Sequence, residues 1–176
     1  MVENRSPEPG CEADCRKFPA VQRAVLHALE LAAEDLKHWC GSLSDEGLNA
    51  RPFGLSPVAF HLRHIARSLD RLLTYAEGRT LDEKQWAAKM RELDPGATAE
   101  ELFAELNSAL ARSAERVRVF DPQALEQARS VGKHRLPASV AGLLVEVAEH
   151  TQRHVGQAIT TAKVVQSLHG GRVEWA

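Results

Sequence analysis

Apolar residues recur every three or four positions in four long stretches of this chain. No stretch alternates long enough to specify a strand. From Ala20 to Cys40, the residues Val21, Val25, Ala28, Leu29, Ala32, Leu36 and Trp39 form one stripe and predict a helix stopped by Gly41. His27 and His38 lie off that stripe and read as solvated. Ser56 as N-cap and Pro57 at the first helical position open a second helix that runs to Gly78. Its main stripe is Val58, Leu62, Ile65, Leu69, Leu72, Leu73 and Ala76. A second arc collects Phe60, His61, His64, Ser68 and Tyr75, an aromatic and histidine-bearing side that suggests a lining rather than a wet face. Arg63, Arg67 and Arg71 lie close by and read equally as surface.

Thr98 and Glu101 make a capping box for a third helix, which ends near Phe120 before Asp121-Pro122 and carries Leu102, Leu106, Leu110, Ala114 and Val117 on one face. The fourth opens near Pro137 to Ser139 and runs to about Leu168, closed by Gly170-Gly171. Residues 44–52 read as a turn-rich connector, 79–96 as a linker with some helical character, and 123–136 as a polar connector starting with a turn of helix. Residues 1–17, rich in Pro, Gly, Glu and Ser, read as a flexible tail, followed by a bundle domain over 18–170 and a short tail over 171–176. The expected fold is all-α. It is a four-helix bundle whose long second and third connections admit an up-down-down-up order.

Composition narrows the function. The chain has 176 residues, 44% hydrophobic and 26% charged, with a formal net charge of −2. It therefore lacks the overall basic excess of a nucleic-acid binder, although a small basic patch remains compatible. No apolar run is long enough to span a bilayer, and the N-terminus lacks a signal-peptide core, so no membrane partner and a cytoplasmic location are expected. The three cysteines, Cys11, Cys15 and Cys40, read as reduced thiols, with Cys11 and Cys15 as exposed thiols of the tail rather than half a zinc site.

The chemistry concentrates in histidine, of which there are 8. His150 and His154 lie four apart on the fourth helix, where Leu143, Val147, Ala158 and Val165 share their arc. Two stacked imidazoles on a buried stripe need polar partners, and one divalent metal satisfies both. A catalytic site of the zinc type wants a third protein ligand. Spacing leaves that choice open between His61, nearer the main stripe, and His64, central to the second arc. Thr151 stands where a zincin has glutamate, which excludes that peptidase motif. Glu146, Glu149 and Gln157 flank the pair, the glutamates reading as solvated.

Phe60-His61-Leu62-Arg63-His64-Ile65-Ala66 and His150-Thr151-Gln152-Arg153-His154-Val155-Gly156-Gln157-Ala158-Ile159 resemble the second-helix and last-helix motifs of the DinB/YfiT-like family. The resemblance covers nearly the whole chain after the tail. It implies a four-helix bundle, often a homodimer, with a divalent metal such as Zn or Ni held by His64, His150 and His154. It also implies a small-molecule substrate, in some members a low-molecular-weight thiol, and either thiol-transferase or hydrolase activity. Val155 stands where the family commonly has arginine, so no role of that arginine carries over. The competing expectation is a non-catalytic dimer with a structural or vestigial metal site.

Overall fold

The computed structural model describes residues 18–168 together with Gly170. Cys11, Cys15 and the two tails, 1–17 and 171–176, therefore lie outside the described residues. Four long helices carry the fold: α1 (Ala20–Cys40), α3 (Val58–Ala76), α5 (Ala99–Arg118) and α6 (Val140–Leu168). Between them sit the short α2 (Asp45–Asn49), α4 (Glu83–Met90) and an antiparallel hairpin of β1 (Ala128–Val131) and β2 (Leu136–Ser139). The apolar stripes converge in one core. Val25, Leu29 and Leu36 of α1 meet Leu62, Ile65 and Leu69 of α3, Leu102 and Leu106 of α5, and Leu144, Val147 and Val155 of α6. At about 25 cal/mol per Å² of apolar surface removed from water, this burial is the main stabilising force.

Polar bonds between helices fix the directions. Gln22, near the start of α1, donates to Val117 O at the end of α5, so those helices run antiparallel. Gln152 bonds Ala28 O and Gln166 bonds Trp39 O, so α1 and α6 run parallel. His61 faces His154 while His64 faces His150, so α3 and α6 run antiparallel. Arg67 pairs with Glu105 and Arg116 with Asp70, so α3 and α5 run parallel. The order is up-down-down-up, as the connection lengths suggested.

Several local expectations need correction. Residues 44–52 are not merely a connector. Ser44 accepts from Gly47 N at 3.2 Å and starts α2. The second helix begins at Val58, with Pro57 in the cap position and no side-chain cap from Ser56. The linker after Gly78 contains a full helix, α4, with an Asp82–Gln85 capping box. The polar connector after α5 contains the small two-stranded hairpin, while the fold remains the expected helical bundle. His27 is half-buried rather than solvated, and its Nε2 is buried without a partner. On α6 the fully buried residues at the histidine turns are Thr151 and Val155, while His150 and His154 are half-buried at the margin of the stripe. Their neighbours therefore open onto a cleft. Among the described residues, no helix is long and apolar enough to cross a membrane.

Candidate metal centre

α3 and α6 cross with their histidines in register. Three neighbouring imidazoles, His64, His150 and His154, bring ligand atoms within 4.8 Å of one another. His64 Nε2 lies 2.9 Å from His150 Nε2. The His64 and His154 ring centres are 4.3 Å apart, and those of His150 and His154 are 4.6 Å apart. Two nitrogens on one zinc-type ion sit at most about 4.2 Å apart. Small side-chain rotations would therefore bring all three onto one ion. His61, the alternative third residue, is 4% exposed and sits behind His154, with its Nδ1 3.1 Å from His154 Nδ1. Phe60 stacks on His64 with ring centres 5.2 Å apart and closes one flank.

One imidazole of the trio, His64, has a hydrogen-bonded carboxylate at its other nitrogen. The carboxylate of Glu92 lies 2.7 Å from His64 Nδ1 and accepts a hydrogen bond when that nitrogen is protonated, leaving Nε2 free for a ligand role. Glu146 lies 3.9 Å from His150 Nδ1, and His61 stands against His154. Glu92 is 7% exposed and also receives Arg71 Nη1 at 2.6 Å. Burial alone would raise its carboxyl pKa, but the hydrogen bonds from His64 and Arg71 outweigh this and hold it below the usual range.

The segment carrying Glu92 is tied down from several sides. Asn49 of α2 donates to Ala97 O at 2.9 Å and accepts from Gly96 N at 3.2 Å. Arg63 donates to Asp94 O, and Arg67 donates to Ala88 O at 2.7 Å. Two of the three arginines that read as surface in the sequence thus brace the site's outer wall, and the third, Arg71, pairs with Glu92.

Burial shapes the electrostatics. It lowers the pKa of His150 to about 4, helped by repulsion from His64 and by Arg153 and Arg71. It lowers His154 to about 3, helped by His64, His150 and His61, and His61 to about 4, helped by His64. Those imidazoles are neutral at pH 7, the form in which imidazole binds a metal. Glu149 pairs with Arg153 on the exposed surface, in keeping with a solvated role.

A cleft of about 680 Å³ adjoins the cluster, walled by Leu55, Phe60, His61, Arg153, His154 and Gln157. Gly156 lines it too, and a Cβ built there meets nothing within 4 Å. Sequence reasoning missed Glu92 altogether, and nothing in its immediate neighbours singles it out.

Comparison with known proteins bears on the whole arrangement. A family model described as the DinB superfamily matches residues 28–158. Among solved structures, YfiT from Bacillus subtilis, described as a probable metal-dependent hydrolase with an unusual four-helix bundle topology, is similar with a TM-score of 0.62. The identity is 17%, covering 86% of this chain and 89% of that chain, and such a likeness speaks to the fold. No curated protein matches this chain.

Proposed function

Since the chain belongs to the DinB superfamily, we propose that it is a metal-dependent enzyme acting on a small molecule, with His64, His150 and His154 holding one divalent ion, Zn²⁺ or Ni²⁺. The observation that carries this reading is the convergence of three half-buried imidazoles on one point, with Glu92 hydrogen-bonded to the second nitrogen of His64. A divalent ion held by neutral ligands supplies Lewis acidity that brings the pKa of a water or a thiol towards neutrality.

The chain's own residues supply the rest. Glu92 fixes the tautomer and direction of His64. Phe60 and the partly buried setting limit water around the cluster. The adjoining cleft offers an apolar wall at Leu55 and Phe60 and polar groups at Gln157 and Arg153 for holding a substrate beside the histidines. Transfer of a low-molecular-weight thiol and hydrolysis both suit this arrangement. The absence of a glutamate at Thr151 argues against peptide substrates. The family resemblance further supports a homodimer, which light scattering on the purified protein would test.

Metal content by plasma mass spectrometry on untagged protein tests the core of the proposal. The expected result is about one divalent ion per chain, lost in His150→Ala and His154→Ala. Metal content unchanged by either substitution would sink it. A thiol incubated with an electrophile, and a panel of small esters and amides, then separate transfer from hydrolysis by whether the metal-dependent rate requires the thiol.

A further inference from the structure

Tyr75 belongs to the aromatic and histidine-bearing side of α3 but takes no part in the histidine cluster. It lies three turns further along the helix than His64, about 16 Å away. Its side chain is 9% exposed and packs with Ala76 and Leu143. It lines a separate cleft of about 510 Å³ between the end of α3 and the β1–β2 hairpin. Among the described residues its hydroxyl has no hydrogen-bond partner.

The wall of this cleft also contains Arg79, Arg129, Lys133 and Arg135, and no acidic residue. On a chain of formal net charge −2, that is a local reversal of sign. Arg129 is held in place. Its Nε donates to Ala76 O at 2.7 Å and its Nη1 to Ala128 O at 3.0 Å, so it covers the negative end of α3. Arg79 is shared with Glu77. Lys133 stands 5.5 Å over the Trp86 ring, which leaves its ammonium hydrogens free of protein acceptors. Arg135 takes φ +50, a conformation that costs a non-glycine residue about 1 kcal/mol. Its side chain forms no hydrogen bond or ion pair among the described residues. The Tyr75 hydroxyl and the Arg135 guanidinium are thus donors without a protein acceptor among the described residues, beside an Arg129 and a Lys133 that keep their positive charge.

We propose that this cleft binds a small phosphorylated molecule through its phosphate, with Arg129, Lys133 and Arg135 as counter-charges and the Tyr75 hydroxyl donating to a phosphate oxygen. Guanidinium, ammonium and phenol are all donors, and a tetrahedral dianion accepts from several at once. The volume lies in the range of small-molecule pockets. A single concave cleft on a slightly acidic chain suits a small anion better than a nucleic acid, which needs an extended basic surface. The site shares no residue with the histidine cluster, so it stands or falls independently of the proposed metal.

Calorimetric titration of the full-length, metal-loaded chain with inorganic phosphate and with phenyl phosphate tests it. Saturable binding of either is expected, weakened about tenfold by Arg135→Gln and roughly threefold by Tyr75→Phe. It should be unchanged in His154→Ala, which alters only the other site. The Arg135 side chain makes no bond that holds the hairpin, and glutamine keeps the backbone bond to Gly132 O, so the replacement should leave the thermal midpoint in place and the binding result interpretable. Three outcomes overturn the proposal: no saturable binding, binding indifferent to both Arg135→Gln and Tyr75→Phe, or binding abolished by His154→Ala, which would put the phosphate at the histidines. Failure of both probes alongside oligonucleotide binding that tightens with length would assign the patch to nucleic acid instead.

Discussion

Glu92 is the residue on which the histidine cluster turns. It joins His64 to Arg71 in a nearly dry environment, and each partner needs the other two. Glu92→Gln keeps the shape but removes the charge, and metal affinity measured against a chromophoric chelator should fall by roughly 10- to 100-fold. Glu92→Ala also leaves the Arg71 guanidinium buried without its carboxylate, a loss on the order of 3 kcal/mol in denaturant unfolding. An affinity unmoved by Glu92→Gln would mean that His64 needs no such partner. Titration adds a second prediction. In the unfolded chain histidine takes a proton near 6.5, whereas in the fold His61, His150 and His154 resist protonation down to about 4, 4 and 3. As pH falls below 6.5 the unfolded state binds protons first, so metal-free protein should lose stability progressively between pH 6.5 and about 4. Glu92, with its lowered pKa, adds to the loss at the acid end. A thermal midpoint flat across that window would contradict the burial of the cluster. Of this site, the sequence showed the histidines because two lie at helical spacing and two share the second arc of α3. It did not show Glu92, because a carboxylate in a short turn after α4 acquires its role only when Asn49, Arg63 and Arg67 fold that turn against α3.

At the level of elements, α6 contains a test of the cleft. Gly156 sits inside a 29-residue helix, where glycine costs about 1 kcal/mol relative to alanine. No neighbour requires the missing side chain, since a Cβ there meets open space. Gly156→Ala should therefore raise stability by roughly 0.5–1 kcal/mol. Gly156→Trp should leave metal content intact while lowering turnover by filling the cleft. Unchanged turnover with the tryptophan in place would remove this cleft from the reaction. The elements also show where periodicity stops being informative. The four long helices were legible because a stripe of period 3.6 repeats over many turns, and the Thr98–Glu101 capping box was legible because its bonds are local. Helix α2 has 5 residues including a glycine, too few to repeat anything. The strands of the hairpin have 4 residues each, and Pro137, a residue that argues against a strand, occupies β2. Their pairing comes from the turn at Gly132, φ +70, and Arg135 rather than from an alternating pattern.

For the whole molecule, the up-down-down-up order makes α3 and α6 antiparallel neighbours although 86 residues separate His64 from His150. An ion held between them binds only the folded form. At a free concentration a hundred times its dissociation constant it should add about 2.7 kcal/mol of stability. Removing it with a chelator should lower the thermal midpoint of the native protein by on the order of 5 °C or more, and leave that of His154→Ala unchanged. Equal midpoints with and without chelator in the native protein would argue that nothing bridges the two helices. The same separation has a temporal side. A ribosome releases the α3 histidine early and the α6 pair only with the closing helix. A chain interrupted between residues 77 and 149 has all of α3 with His61 and His64 but lacks both histidines of α6. On the proposed three-histidine site, metal would load only after α6 is made, and bound metal would mark finished, correctly closed chains.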